Sequence, residues 1–298
     1  MQPATCVIFN PTAGRGKARR AIASLDSATV RLLPTEYPGH GRELAAREAQ
    51  AGTTRIVAAG GDGTVHEVAT GILSVPGTTS ALGVWPIGSA NDYAHALKIH
   101  PRAAFDPAAA FDVRAVDVGL IEGGGRQSHF INCMGLGFNA AVTLESRKIK
   151  WLRGMALYGL GTLKALIRHF DQPILDVNFD DARRKAATLA LSVNLGPREG
   201  NFPVTPAAML DDGLFDVVHA GPLSRWQALK LLPRMANGTL PLDHPGIWQG
   251  RCARARVQSP VPLRIHLDGE FFCQPEDGIT DVQIQLLPNM LRVAIKNT

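Results

Sequence analysis

Hydrophobic and polar positions follow two different rhythms along the chain. Over residues 5–100, short apolar runs alternate with segments in which apolar residues recur at helical spacing. The runs predict strands, and the spaced segments predict helices. The predicted strands are 5–9, 30–33, 56–59 and 81–86, and the predicted helices are 17–25, 41–51 and 65–72. Strands that alternate with helices indicate a parallel sheet in an α/β domain.

After about residue 112 the pattern changes to strands in which apolar and polar residues alternate. These strands are predicted at 116–120, 129–133, 175–179, 187–194, 215–219, 254–257, 263–267 and 282–286. Two helical segments interrupt them, over 140–170 with a break near Gly154 and over 225–236. The alternation predicts a mainly antiparallel second domain. A last apolar run, 291–295, predicts a strand whose sheet the sequence leaves open.

The turn Gly60-Gly61-Asp62-Gly63-Thr64 joins an apolar strand to a helix in the first domain. Glycines let the backbone approach a ligand closely, and N–H groups at a helix start attract anions. Asp62 would repel a bare phosphate, but it suits a phosphate that carries a divalent cation. The working hypothesis is therefore that this turn binds a nucleoside triphosphate with magnesium. A tight turn without a ligand is the alternative.

Two further turns follow strands of the same domain. The first, over 10–17, combines glycines with cations that oppose the helix dipole unless an anion is bound. The second, over 87–92, is small and polar, and Ser89 or Asn91 could serve there simply as a helix N-cap. Because parallel sheets gather ligands at the carboxyl ends of their strands, three such turns favour a binding site.

Composition restricts the classes of partner. The 298 residues are 45% hydrophobic and 19% charged, which is ordinary for a globular protein and long enough for two domains. The net charge of +5 allows nucleic acid, anionic membrane or phosphorylated ligands. Only 6% of the residues are aromatic and the basic block is short, 183–185, so nucleic-acid recognition is not expected. The four cysteines are far apart, which disfavours zinc and fits reduced thiols. Neither a secretory signal nor a membrane-spanning stretch is expected.

Three other stretches allow both a structural and a functional interpretation. Residues 148–158 mix basic and aromatic residues as a membrane-interface helix does, although a helix with a buried apolar stripe is the commoner case. Residues 211–216 place carboxylates around Gly213, where an Asp-Gly turn is more common than a metal site. Glu270 follows a second Asp-Gly turn and would act as a general base if it reached a substrate hydroxyl.

Together these motifs resemble the diacylglycerol kinase catalytic-domain family, which includes bacterial lipid kinases and sphingosine kinases. The matching segments span nearly the whole chain and are Asn10-Pro11 with Gly14 and Gly16, 60–64 with 66–68, 86–94, Gly135-Leu136-Gly137-Phe138, Pro206-Ala207 with 212–214, and 267–270. The segment 60–64 alone would also fit NAD kinases, and the later motifs separate the lipid kinases from them.

The resemblance implies an α/β fold with an N-terminal NAD kinase-like nucleotide-binding domain over 1–125 with 288–298, and a C-terminal β-rich (β-sandwich) domain over 126–287. It places the active site, with ATP and Mg²⁺, in the cleft between them. The implied activity is ATP-dependent phosphorylation of a hydroxyl of diacylglycerol or a related lipid alcohol. The implied location is cytoplasmic, with peripheral contact with an anionic membrane. A kinase of a soluble substrate such as NAD and a catalytically silent binding protein are the alternatives.

The resemblance also implies a role for individual residues. Glu270 is the implied general base, Asp62 works with the catalytic magnesium, and Asp92 is an acidic active-site residue whose network could include Asp117. The implied nucleotide and phosphate contacts are Asn10, Lys17 (or Arg15), Gly60, Gly61, Gly63, Thr64, Gly88 and Ser89. A structural metal site is implied at the Asp212 carboxylate with the backbone carbonyls of Met209 and Leu214.

Two positions depart from the family pattern. Asn139 stands where many relatives carry Asp, which keeps the shape and removes the charge. Ser89 stands where relatives usually carry Thr, and this exchange keeps the hydroxyl group.

Overall fold

The computed structural model describes residues 5–15, 22–23, 25, 30–100, 106, 109–149, 151–152, 154–180, 182–241 and 243–296. Lys17 and most of the predicted helix over 17–25 lie outside the described residues. The chain forms two compact units, Met1–Asp117 with Pro288–Thr298, and Val118–Leu287. The boundary between the units therefore follows Asp117, whereas the sequence prediction placed it after residue 125.

The first unit contains a parallel sheet. Its described strands and helices are β1 (Thr5–Phe9), β2 (Arg31–Pro34), α1 (His40–Gln50), β3 (Arg55–Gly60), α2 (Asp62–Leu73), β4 (Ala81–Pro86) and α3 (Asp92–Ala96). The strand order is β2-β1-β3-β4, with every neighbouring pair parallel. Ile8, Val57 and Ala58 on the two middle strands are fully buried. A strand covered on both faces has no polar side, which is why these strands appear in the sequence as continuous apolar runs.

The second unit contains two antiparallel sheets. Its described elements are β5 (Phe111–Gly123), which begins before the boundary, β6 (Arg126–Phe130), β7 (Cys133–Gly137), α4 (Phe138–Arg147), α5 (Gly154–Arg168), β8 (Ile174–Phe179), β9 (Ala182–Ala187), β10 (Ala190–Asn194), β11 (Phe215–Ala220), α6 (Arg225–Ala236), β12 (Ile247–Cys252), β13 (Arg254–Gln258), β14 (Ile265–Leu267), β15 (Glu270–Cys273) and β16 (Asp281–Lys296), which ends after it.

One sheet of this unit has the order β12-β11-β10-β7-β14-β15. In the other, β13 lies between β8 and the first part of β16, and β9 pairs with β8 at the edge. Phe179 of β8 stacks on Trp248 of β12 with ring centroids 5.1 Å apart. The two sheets therefore pack face to face around an apolar core, as in a β-sandwich.

The last strand answers the question that the sequence left open. Val293 of β16 pairs in parallel with Leu82 of β4, so the run 291–295 belongs to the sheet of the first unit. Oδ1 of Asp117, which is 1% exposed, accepts a hydrogen bond from the Asn289 N–H at 2.9 Å. Asp117 thus holds β16 in the first unit, a structural role that sequence reasoning did not anticipate.

Several strand predictions need correction. The run 187–194 is divided between the end of β9 and β10, and β12 and β15 were not predicted. The strand expected over 129–133 is divided between β6 and β7, which belong to different sheets. Between them the N–H groups of Ile131, Asn132 and Cys133 donate to the Asp268 carboxylate rather than to a neighbouring strand. The strand β9 was not predicted because it carries the basic block 183–185, which is typical of an exposed sheet edge.

The helical segment over 140–170 is confirmed as α4 and α5, which are interrupted before Gly154. The stretch 148–158 is therefore not one amphipathic helix. Ile149 is buried, Lys148 pairs with Glu145 at 2.7 Å, and Trp151 is 70% exposed. No helix in the described part of the chain is long and apolar enough to span a bilayer.

Candidate functional site

The turn between β3 and α2 is compact because its glycines leave no room for side chains. A Cβ atom on Gly60 would collide with the Thr64 side chain, and one on Gly88 would collide with the Gly61 backbone. The Ile87 and Gly88 N–H groups donate to the Gly60 carbonyl at 2.8 and 3.1 Å. The two turns that follow β3 and β4 are therefore in direct backbone contact, as the parallel sheet predicts.

Asp62 lies at the first position of α2, and its carboxylate is held by the neighbouring turn. Oδ2 accepts the Asn91 N–H at 2.8 Å, and Oδ1 accepts the Tyr93 N–H at 3.3 Å. These N–H groups belong to the start of α3, so Asp62 caps that helix from a different loop. Carboxylate oxygens are ligands that Mg²⁺ prefers, and this carboxylate is already held in one orientation. The residues at this turn therefore fit a metal-bound phosphate.

Asn91 closes the turn that contains Ser89. It adopts a left-handed backbone conformation with φ 54°, and its amide group accepts from the Gly88 N–H and donates to the Gly88 carbonyl. Asn91 occupies the N-cap position of α3, but its side chain makes no cap hydrogen bond to that helix. Ser89 is exposed, and Asp92 in the first turn of α3 is buried.

The third turn places Asn10 beside the same strand end. The Asn10 N–H donates to the Ala59 carbonyl at 3.3 Å, and Oδ1 accepts from the N–H and the hydroxyl of Thr12. The first unit thus gathers Asn10, the β3–α2 turn and the β4–α3 turn at one edge of its sheet. These are the residues that the sequence predicted to contact a nucleotide.

Glu67 is a motif residue whose structural role sequence reasoning missed. Its two carboxylate oxygens accept the Gly39 and Gly41 N–H groups at 2.8 and 2.9 Å. These N–H groups begin α1, so Glu67 caps α1 from α2 in the way that Asp62 caps α3. The two carboxylates on α2 therefore do comparable structural work at different helix starts.

In the second unit, Glu270 follows a two-residue hairpin between β14 and β15. Asp268 and Gly269 both have positive φ, 51° and 89°, as a type I′ turn requires. The Asp268 carboxylate accepts three backbone N–H groups at 2.8–2.9 Å from the segment between β6 and β7. This anchoring holds the hairpin rigidly and presents Glu270 at its end, with half of its side chain exposed.

Arg147, in the last turn of α4, contacts Glu270 and was not found from the sequence. Its Nη2 lies 2.6 Å from Glu270 Oε2 and donates to the Gly269 carbonyl at 2.7 Å. The guanidinium also lies over the Phe271 ring, 5.0 Å from the centroid. The arginine therefore orients the Glu270 carboxylate. The only local signal was a cation at a helix end, which is common for dipole reasons alone.

Asn139 takes part in a polar network just behind this hairpin. Its Nδ2 donates to Ser192 Oγ at 2.6 Å and to Glu199 Oε2 at 3.2 Å, and the Ser192 hydroxyl donates to Glu199 Oε2 at 2.9 Å. His266 Nε2 lies 3.0 Å from Glu199 Oε1, and His266 Nδ1 accepts the Gly269 N–H at 3.3 Å. Nε2 therefore carries the ring proton and donates to Glu199. The carboxylate that many relatives carry at position 139 is thus replaced here by the neighbouring carboxylate of Glu199.

The network can be tested by exchanging its amide and its carboxylate between positions 139 and 199. Asn139→Asp would place two carboxylates about 3 Å apart with the loss of one donor, and we expect it to lower the free energy of unfolding by about 2–3 kcal/mol. Asn139→Asp combined with Glu199→Gln restores one carboxylate and one amide, because the introduced glutamine can donate to the introduced aspartate and accept from His266. We expect most of the lost stability to return, as measured by urea unfolding. A double variant as unstable as the sum of the two single variants would contradict this account.

The residues of the implied structural metal site have another partner. Oδ2 of Asp212 contacts Arg251 of β12, and Oδ1 accepts the Leu214 N–H at 3.2 Å. Arg251 Nε also lies 3.6 Å from Asp216 Oδ2, where burial raises the pKa of Asp216 and Arg251 opposes the rise. Because a guanidinium already neutralises Asp212, this arrangement of Met209, Asp212 and Leu214 does not fit a resident metal ion. In the described part of the chain, no three His, Cys, Asp or Glu side chains cluster as a metal site would.

In the second unit, the implied metal ligand Asp212 and the implied general base Glu270 lie far apart. Asp212 contacts β12 at one edge of the six-stranded sheet, whereas Glu270 begins β15 at the opposite edge. The side chain of Arg15 and the whole of Lys17 lie outside the described residues, so the phosphate-binding cation stays a prediction.

Comparisons with known proteins agree with this architecture. Residues 4–121 match the diacylglycerol kinase catalytic domain, and residues 132–295 match the YegS C-terminal NAD kinase beta sandwich-like domain. A protein of Chromohalobacter salexigens named probable lipid kinase YegS-like is 32% identical over 78% of this chain and 74% of its own length. Lipid kinase YegS of Escherichia coli K12 is 28% identical over 97% and 95% of the two chains.

A solved structure shares the fold. A diacylglycerol kinase from Bacillus anthracis strain Sterne superposes with a TM-score of 0.72 at 18% identity, covering 98% of this chain and 96% of that one. These matches confirm the predicted fold class, an NAD kinase-like α/β domain followed by a β-sandwich domain. The two matched family domains together cover nearly the whole sequence. This chain therefore belongs to the diacylglycerol kinase catalytic-domain family, in the group that carries the YegS-type C-terminal domain.

Proposed function

We propose that this chain is an ATP-dependent lipid kinase that transfers the γ-phosphate to a hydroxyl of diacylglycerol or a related lipid alcohol. The observation that carries the proposal is a pair of differently placed carboxylates. Asp62 is held by backbone N–H groups at a glycine-rich helix start, and Glu270 is half exposed on an anchored hairpin. The first suits a metal-bound phosphate, and the second suits the proton of an acceptor hydroxyl.

In the donor half of the reaction, the glycine turns bind the triphosphate. The N–H groups of Gly63 and Thr64 precede the first intrahelical bond of α2, which runs from the Val65 N–H to the Gly61 carbonyl. Such groups bind phosphate oxygens, with Asn10 and Ser89 at the adjoining turns. Magnesium, when bound, neutralises charge on the β- and γ-phosphates, and Asp62 would hold it. Asp92 adds a second carboxylate to this region, and Lys17 is the proposed phosphate-binding cation.

In the acceptor half, Glu270 removes the proton from the lipid hydroxyl. The hydroxyl oxygen forms a bond to the γ-phosphorus while the bond from the γ-phosphorus to the β–γ bridging oxygen breaks. The proton goes to Glu270, and ADP leaves with the bridging oxygen. Arg147 keeps the Glu270 carboxylate in one orientation before the hydroxyl arrives. The proposed setting is the cytoplasmic face of an anionic membrane, for which the net charge of +5 is favourable.

The test is transfer of label from γ-labelled ATP, with Mg²⁺, to separate samples of diacylglycerol, phosphatidylglycerol, sphingosine and NAD. The proposal expects a labelled phospholipid in the organic phase. Labelled phospho-NAD in the aqueous phase would instead support a soluble substrate. ATP binding measured by calorimetry, without transfer to any acceptor, would support a catalytically silent binding protein. Either of these two results would overturn the lipid-kinase proposal.

A further inference from the structure

Helix α5 has apolar residues on the side that faces away from the core. Its buried face comprises Gly161, Thr162, Ala165 and Leu166. The opposite row is spaced at three and four residues and is also apolar: Ala156, Leu160, Leu163 and Ile167. In this row Leu163 is 47% exposed and Ile167 is 67% exposed. A surface helix normally turns polar residues outwards, so this row indicates a partner.

Helix α6 continues the same feature. Ala228 and Leu231 are buried in one apolar cluster with Leu166 of α5, so the two helices cover the same core. Away from that cluster, Trp226 is 73% exposed and Leu229 is 39% exposed. We call Leu163, Ile167, Trp226 and Leu229 the α5–α6 surface.

The two helices are linked at the ends that carry these residues. Arg225 Nε donates to the Leu166 carbonyl at 3.2 Å, and the Arg225 guanidinium lies over the Phe170 ring, 5.2 Å from its centroid. Trp226 therefore directly follows Arg225, which contacts α5 at Leu166, the residue before Ile167. Ile167 and Trp226, the most exposed residue of each helix, thus lie beside the contact that links the two helices.

The charged residues on α5 and α6 are all basic. Neither α5 nor α6 contains Asp or Glu. Lys164 on α5 and Lys230 and Arg234 on α6 flank the apolar rows, whereas Arg168 is partly balanced by its pair with Glu145 at 3.1 Å. Just beyond α5 the exposed Asp171 adds one negative charge, so cations are in excess around the surface. Apolar residues with tryptophan, flanked by an excess of cations, are the composition of elements that lie in the interface of anionic membranes.

We propose that the α5–α6 surface docks on an anionic lipid bilayer and inserts Leu163, Ile167, Trp226 and Leu229 among the headgroups. The proposal rests on the proposed function, since a lipid kinase must reach a substrate held in a membrane. Charge selects this occupant over a second copy of the chain. A symmetric dimer would bring the same cations face to face across one surface, whereas an anionic bilayer neutralises them.

The test is flotation of the full chain, without ATP, on vesicles of pure phosphatidylcholine and on vesicles of equal parts phosphatidylcholine and phosphatidylglycerol. We expect binding to the mixed vesicles that falls as salt rises, and weak binding to the neutral ones. Leu163→Ser/Ile167→Ser should weaken binding to the mixed vesicles at least about tenfold, because two large apolar groups no longer enter the interface. The matched control is Val113→Ser/Val261→Ser, which removes two other exposed apolar side chains and should bind as the wild type does.

Two results would overturn the docking proposal. One is unchanged vesicle binding by Leu163→Ser/Ile167→Ser. The other is a wild-type dimer that sediments as a monomer after this substitution, which would assign the surface to a second copy. Circular dichroism should show that the variant is folded, because both replaced side chains are exposed in the native state. Because flotation needs no turnover, failure of the kinase assay with normal vesicle binding would reject the proposed function and leave the docking surface standing.

Discussion

Asp62→Asn is expected to reduce phosphoryl transfer by about 10³-fold or more, the largest effect that we predict for the nucleotide site. The substitution removes the negative charge that would hold magnesium beside the phosphates. It also replaces one acceptor oxygen with a donor, which opposes the N–H group of either Asn91 or Tyr93. Some loss of stability, about 1 kcal/mol, should therefore accompany the loss of activity. Single-turnover kinetics with labelled ATP and thermal unfolding measure the two effects separately.

Glu67→Gln is the matched control for this substitution. Glu67 lies on the same helix and also caps another helix through two backbone N–H groups, so the variant suffers the same kind of capping defect. We expect a similar loss of stability, with activity within a few-fold of the wild type. If Glu67→Gln were as inactive as Asp62→Asn, capping rather than metal chemistry would explain the effect. Near-normal turnover in Asp62→Asn would remove Asp62 from the mechanism.

Glu270→Gln is expected to lower kcat by about 10³-fold while ATP affinity stays unchanged, because a glutamine cannot accept the hydroxyl proton. The melting temperature should change little, since the Glu270 side chain is half exposed and its pair with Arg147 is screened by solvent. Kinetics with a lipid acceptor and calorimetry with ATP give the two measurements. A variant that retains more than a tenth of the wild-type kcat would exclude Glu270 as the general base.

Two companion variants refine the result for Glu270. Glu276→Gln removes an exposed carboxylate from the same unit and should leave the kinetics unchanged. Arg147→Met removes the group that orients Glu270 and keeps the general base. We expect it to lower kcat by about tenfold, less than the loss of Glu270 itself, because a misplaced base still transfers protons.

The sequence alone was sufficient for the features that depend on neighbouring residues. The parallel strands appeared as apolar runs because both of their faces are buried, and the turns of the nucleotide site appeared because glycines must precede α2. The Asp-Gly turn before Glu270 was predicted for the same reason, and the structure shows that it is a type I′ hairpin with two positive φ angles. The general fold class also followed from the order of these elements.

The partners of the charged groups were decided by the tertiary structure. Asp62 caps a helix that begins in another turn, Glu270 is oriented by Arg147, and the charge beside Asn139 comes from Glu199. Asp212, the carboxylate of the implied metal site, pairs with Arg251 of β12. Each contact joins residues distant in sequence, brought together by the pairing of strands and the packing of helices. Local propensity carries no information on such pairs, so the sequence determined which groups could do the chemistry and the fold decided which of them meet.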